Sequence, residues 1–292
     1  MTAFLGMDLE HPVVNGSGTF DAIAARRAFG DTLDERFPFS AFVSKTITLE
    51  SRAGNPPPRL WEAQAGLINS IGLPNKGLHG YLEHDLPELA RLPVPLITNV
   101  MGSTAAEVIA LVEAVGAREE VSAIELNVSC PNVKTGLDIG ADAGSLAAFL
   151  REVRPHAVKP LIVKLTPNTA DVAAVAEAAE AEGADAVSLI NTLRAMALAP
   201  SGEPWLGGGT GGLSGPAIYS VALAQVAAVA RRVSVPIVGM GGIRTAEHAQ
   251  QLLSVGATLV AVGTETFRDP RAGARIASGL QEMPANRVQP VA

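Results

Sequence analysis

Four asparagines (Asn15, Asn99, Asn127 and Asn191) and two lysines (Lys45 and Lys164) each stand where a short apolar run gives way to polar residues. The single cysteine, Cys130, follows one of these runs. Asparagine offers donors and acceptors together, so several converging on one place suit a planar, hydrogen-bond-rich ligand. A thiol beside Asn127, Ser129 and Asn132 can move a proton or attack a carbon, because its ordinary pKa of about 8.5 is within reach of its surroundings. Nucleophile and general base both remain open on the residues alone. The five histidines (His11, His79, His84, His156 and His248) lie away from the ends of apolar runs, which gives a Cys–His pair no support. Near the C-terminal end, Gly239-Met-Gly-Gly242 and Val262-Gly263-Thr264 pair glycines after apolar runs, a pattern that exposes backbone N–H groups to a phosphate.

The elements that must position these groups are eight short apolar runs: Val13–Asn15, Ala41–Lys45, Pro95–Asn99, Ala123–Asn127, Pro160–Lys164, Ala186–Asn191, Pro236–Gly239 and Thr258–Gly263. Most are apolar at consecutive positions, as expected of parallel strands buried on both faces. Pro95, Pro160 and Pro236 each open a run, where a missing N–H costs least. Helical patterns intervene. Thr104 with Glu107 reads as a capping box and Gly116 as a C-cap; Val172, Val175, Ala176 and Ala179 follow helical spacing, closed by Gly183. Alternation on this scale predicts an α/β fold, a single-domain (β/α)8 TIM barrel with extended βα loops over its C-terminal mouth. The barrel is expected over residues 1–281, with residues 282–292 as a disordered tail. Three connections, Ile47–Gly77, Pro131–Gly144 and Leu193–Gly215, are long enough to carry function. Trp61 and Trp205 lie in two of them, and packing under a loop is the commoner fate of such residues. In the barrel, all the strand-end residues share one mouth, and the glycine pairs fall after strands 7 and 8, where barrel enzymes commonly bind phosphate.

Composition narrows the class. With 292 residues, 48% hydrophobic and 17% charged, the chain can bury a sizeable core. One cysteine excludes an intramolecular disulfide, a CxxC zinc site and an iron–sulfur cluster ligated by this chain alone. A net charge of −7 without a basic stripe argues against nucleic acid as a partner. No secretory signal and no run of 18 apolar residues is found, so a soluble cytoplasmic protein without membrane association is expected.

These residues resemble the class 1 dihydroorotate dehydrogenases. The most specific piece is Asn127-Val-Ser-Cys130-Pro-Asn-Val-Lys-Thr-Gly136, supported by Ser44-Lys-Thr46, Gly54-Asn-Pro-Pro-Pro-Arg59 and Ile68-Asn-Ser-Ile-Gly-Leu-Pro-Asn75. Asn191-Thr-Leu-Arg-Ala-Met-Ala197, Thr210-Gly-Gly-Leu-Ser-Gly-Pro-Ala217 and Pro236-Ile-Val-Gly-Met-Gly-Gly-Ile243 complete the series. The resemblance implies a flavoprotein oxidoreductase of UMP biosynthesis that oxidises (S)-dihydroorotate to orotate with bound FMN. It implies FMN contacts from Ser17, Lys45, Thr46, Asn99, Asn127, Lys164, Ile190, Gly215, Gly241, Gly242, Gly263 and Thr264. Substrate would be held by Lys45, Asn69, Ser70, Ile71, Gly72, Leu73, Asn127, Asn191 and Thr192, with Asn132 a weaker candidate. Cys130 would be the catalytic base, and no metal is implied in this chain.

Within that class, Asn191-Thr-Leu-Arg-Ala-Met-Ala and Gly239-Met-Gly-Gly look more like the NAD-linked type than the fumarate-reducing one. That type implies a homodimer core in a heterotetramer, whose second subunit carries FAD and a 2Fe–2S cluster. A dihydropyrimidine-reducing barrel shares only the Asn-x-Ser-Cys-Pro piece. From other classes, a non-redox phosphate-binding barrel would use Lys164 as a Schiff-base lysine, and a structural barrel subunit would use none of these groups. Neither gives the asparagines and the Cys130 loop a role.

Overall fold

The computed structural model describes residues 1–129 and 139–283. Eight parallel strands form its centre: β1 (Val13–Asn15), β2 (Phe42–Val43), β3 (Leu96–Val100), β4 (Val121–Asn127), β5 (Leu161–Lys164), β6 (Ala186–Leu189), β7 (Ile237–Met240) and β8 (Leu259–Val262). They pair in sequence order from β2 to β8, and β8 returns to β1. Each coincides with one of the eight apolar runs, so the expected (β/α)8 barrel is the fold observed.

The ring closes through a side chain. Between β1 and β2 the Ser40 N–H donates to the Val13 carbonyl at 3.0 Å. One residue pair further on, the buried Asn15 amide replaces the ladder. Its Oδ1 accepts from the Val43 N–H at 2.8 Å and its Nδ2 donates to the Val43 carbonyl at 2.8 Å. Asn15, read from sequence as a ligand-facing residue, is therefore a structural clasp of the barrel wall.

Consecutive apolar positions are explained by burial on both faces. Val14, Val43, Ile97, Ala123, Ile162, Ala186, Val238 and Leu259 point into the barrel, where Phe4, Met7 and Leu9 of an N-terminal hairpin join them. Their neighbours Val13, Ile124, Leu126, Leu161, Val163, Val187, Leu189, Ile237 and Val260 pack outward against the helices. The strand-opening prolines keep their place in the ladders through their carbonyls. Pro95 accepts from Phe42, Pro160 from Ile124 and Pro236 from Val187, all within 2.9–3.1 Å.

The helices start as expected. Thr104 caps Ala105–Gly116 by accepting from the Glu107 N–H, and the Glu107 carboxylate reaches back to the Ser103 N–H. Gly116 is the last residue of that helix and not a cap beyond it; a Cβ there would lie 3.0 Å from Val158, so close packing explains the glycine. Asp171 caps Val172–Ala181, and Gly183 follows with a φ of +86°. The last helix, Ala272–Glu282, includes Glu282; the rest of the expected tail beyond residue 283 lies outside the described residues. No helix among the described residues is long and apolar enough to cross a membrane.

Two of the long connections combine into a separate antiparallel sheet, ordered Leu193–Ala195, Gly211–Ser214, Gly66–Asn69, Leu60–Ala63. Ile68, Ala197 and Leu206 form its small core. Trp61 and Trp205 meet edge to face on it, with ring centroids 5.1 Å apart, so packing against each other is their role within this chain.

Candidate active site

Inward positions of the barrel strands change from apolar to polar one step above the interior core. On β4 the inward series is Ala123, Glu125, Asn127; on β3 it is Ile97, Asn99; on β5, Ile162, Lys164; on β6, Ala186, Ser188. Alternation along each strand puts Asn99, Glu125, Lys164 and Ser188 into one layer. All four are buried. Glu125 Oε1 accepts from Asn99 Nδ2 at 2.5 Å and lies 3.7 Å from Lys164 Nζ, while Oε2 accepts from the Ser188 hydroxyl at 2.8 Å.

Above this layer opens a cavity of about 400 Å³, within the ~300–1,000 Å³ common to ligand sites. Lys45, Asn127, Lys164, Ile190, Asn191 and Thr192 line it, together with Ser17, Thr46, Gly215, Gly241, Gly242, Gly263 and Thr264. The antiparallel sheet contributes Leu60, Leu67, Asn69 and Ser214 to the wall. Beyond its end the chain turns, with positive φ at Gly72 and Leu73, and this path decides which residues face in. Asn69, Ile71 and Leu73 line the cavity. Ser70 and Gly72 turn away, the Ser70 hydroxyl accepting from Asn55 Nδ2 at 2.9 Å and Gly72 lying so close to Asn55 that a Cβ would meet its N–H nitrogen at 2.4 Å.

The cavity's polar groups are tied together. Asn191 Nδ2 donates to the Ser129 hydroxyl at 2.9 Å and to Asn127 Oδ1 at 3.4 Å, and the Ser129 N–H donates to the same Asn127 oxygen at 3.1 Å. Lys45 reaches solvent through the cavity. Desolvation by the surrounding protein lowers its pKa below the ordinary lysine value, with the Asp21 charge pulling the other way. Among the lining glycines, Gly215, Gly241 and Gly242 all have positive φ. A Cβ on Gly242 would lie 2.8 Å from the Gly215 carbonyl oxygen and 2.8 Å from Tyr219 Cβ, so only glycine lets these backbones approach.

The family model described as dihydroorotate dehydrogenase matches residues 1–283. The chain belongs to the dihydroorotate dehydrogenase family. A family member from Geotalea uraniireducens, named dihydroorotate dehydrogenase B (NAD(+)), catalytic subunit, is 43% identical over 278 residues, covering 94% of this chain and 90% of its own length. Proteins of the same name from Geobacter sulfurreducens and Desulforudis audaxviator are 40% and 42% identical, over 94% and 96% of this chain and 90% and 91% of theirs.

Against the residues that the family resemblance implies, the cavity includes every flavin candidate except Asn99, which sits in the layer beneath, bonded to Glu125. Of the substrate candidates it includes all but Ser70 and Gly72. Cys130 and Asn132 lie outside the described residues. Two features suit FMN: the positive-φ glycines Gly241 and Gly242 after strand 7 and Gly215 before Pro216, and a buried Asn99 Oδ1 that finds no hydrogen-bond partner among the described residues. Glu125 and Ser188 escaped the sequence reading. Their signal was a carboxylate and a hydroxyl set in step with Asn127 and Ala186 inside otherwise apolar strands.

Proposed function

We propose that this chain oxidises (S)-dihydroorotate to orotate in de novo pyrimidine biosynthesis, with FMN in the barrel-mouth cavity and electrons passed on to NAD through a partner subunit. The observation that carries this reading is one cavity lined by asparagines, lysines and glycine-rich loops, in a member of this family. The names of its relatives, NAD(+)-linked catalytic subunits, favour the NAD-linked form. The 2Fe–2S cluster and FAD of such a complex belong to the partner, since one cysteine cannot hold a cluster. A homodimer core within a heterotetramer is part of the same proposal. The Schiff-base barrel and the structural barrel are left without support.

FMN, when bound, supplies the acceptor for the hydride that leaves C6. This chain's residues do the rest. Backbone N–H groups around Gly215, Gly241, Gly242 and Gly263, with Thr264, hold the phosphate. Ser17, Thr46 and Ile190 line the same cavity and would contact the cofactor. Lys164 would supply a buried positive charge to favour the reduced, negatively charged form of the bound group. Asn127, Asn191 and Asn69 are already oriented by their own hydrogen bonds and fix the pyrimidine ring, with Thr192, Ile71 and Leu73 around it. Ser70 and Gly72 act by shaping that loop. Cys130 takes the C5 proton.

The purified chain is expected to show a flavin absorption band that bleaches when dihydroorotate is added without oxygen. A colourless protein that stays inactive after FMN is supplied would sink the reading. Co-purification of an orange-brown FAD and iron–sulfur subunit supports the NAD-linked form, whereas direct fumarate reduction by the isolated chain overturns it.

Lys45 gives a pH signature. Its ammonium form binds the substrate carboxylate, and its pKa is lowered, so the charge is lost at lower pH than for an ordinary lysine at about 10.4. Orotate affinity, titrated by flavin absorbance, should therefore weaken as alkaline pH is approached. Lys45→Met should weaken it about ten- to a hundredfold at neutral pH, the worth of a charge-assisted hydrogen bond, and flatten the profile. A wild-type affinity unchanged up to the ordinary lysine range would remove Lys45 from this role.

A further inference from the structure

Glu125 is a carboxylate inside a barrel, 3% exposed, on a strand whose other residues are apolar except Ser122 and Asn127. Burying a carboxylate there is costly unless it is paired and hydrogen-bonded. It is both. Asn99 and Ser188 each donate to one of its oxygens, and the ammonium of Lys164 lies 3.7 Å away. That distance is an ion pair and not a direct hydrogen bond. Lys164 lines the cavity; Glu125 does not. The carboxylate thus stands behind the lysine, on the side away from the ligand.

We propose that Glu125 is a positioning residue that acts through Lys164: as its counter-charge it fixes the ammonium at the cavity floor and moderates the positive field felt by the bound flavin. This rests on the FMN reading above. An unmoderated buried cation would overstabilise the reduced, negatively charged flavin, making the electrons harder to pass on. With Glu125 behind it, Lys164 stays a cation held in place, but its field in the cavity is partly cancelled. Asn99 and Ser188 keep the carboxylate aimed, because each donates to it and satisfies a lone pair that water would otherwise fill.

The test is the midpoint potential of FMN bound to the full chain at neutral pH. Glu125→Gln keeps the size and removes the charge, and should shift the potential to a more positive value with FMN still bound. Lys164→Met should shift it to a more negative one. In the Lys164→Met background Glu125→Gln should shift the potential by less than it does in the wild type, since the part of its effect that runs through the position of the lysine is gone. Glu125→Asp, which withdraws the charge by one methylene, should shift the potential in the positive direction by less than Glu125→Gln and covers the case in which the glutamine variant fails to fold. A potential unchanged or made more negative in both Glu125 variants overturns the proposal, as does a Glu125→Gln shift of equal size with and without Lys164. The pair is also read without cofactor. In the FMN-free chain Glu125→Gln and Lys164→Met should each lower the melting temperature, and the double variant should lose less than their sum; additive losses overturn the pairing. A wild-type chain that takes up no FMN would overturn the cofactor reading on which the proposal rests, an outcome distinct from a chain that binds FMN at a potential insensitive to Glu125.

Discussion

Cys130→Ala is expected to slow flavin reduction by dihydroorotate about 10²- to 10⁴-fold, the usual contribution of a general base, while FMN stays bound. A carbon acid must lose its proton as hydride leaves the neighbouring carbon, and alanine can accept nothing. The chain leading into Cys130 runs along the cavity wall, where Asn191 bonds both Asn127 and Ser129. None of these groups is basic at neutral pH, and an asparagine or a serine hydroxyl cannot replace a thiolate whose reference pKa is about 8.5. Cys130→Ser should therefore recover only part of the rate, and more of it as pH rises and the hydroxyl is more easily ionised. Stopped-flow bleaching of the flavin under anaerobic conditions reads both variants. Undiminished reduction of Cys130→Ala at neutral pH would remove the base assignment and leave the FMN site untouched.

The second large effect concerns stability. Asn15→Ala is expected to cost about 3 kcal/mol, because it strips partners from two backbone groups at once. The Val43 N–H and carbonyl are bonded to the Asn15 amide in a fully buried setting, and no strand ladder replaces it there. An unsatisfied buried group costs about 1–3 kcal/mol, so losing both partners adds to a large fraction of an ordinary domain's stability. Urea unfolding followed by circular dichroism measures it. A loss below about 1 kcal/mol would show that the β1–β2 seam is held mainly by the Ser40 to Val13 bond and by packing.

Much of the barrel was legible because each strand is buried on both faces, which writes a run of consecutive apolar residues into the sequence. Pro95, Pro160 and Pro236 mark strand starts for an equally local reason, since a proline has no N–H to leave unpaired. The antiparallel sheet was not legible. Leu60–Ala63, Gly66–Asn69 and Gly211–Ser214 are short and only partly buried, the last two bear glycine, and the pairing of those two joins loops more than a hundred residues apart. Nothing local announces such a partner.

For the site, residue type and order by themselves determined the family resemblance, the cysteine loop, the lysines at strand ends and the glycine loops for phosphate. Tertiary structure decided which of these residues share the cavity. The path of the chain beyond Asn69, held by contacts with Asn55, turned Ser70 and Gly72 away from it while keeping Asn69, Ile71 and Leu73. Closure of the ring drew Asn15 into the wall, and the inward register of β4 put Glu125 beneath Lys164. The physical reason is the same in each case. Whether a polar group binds ligand or bonds to the protein depends on what stands across from it, and that is set by strand register and closure over long sequence separations.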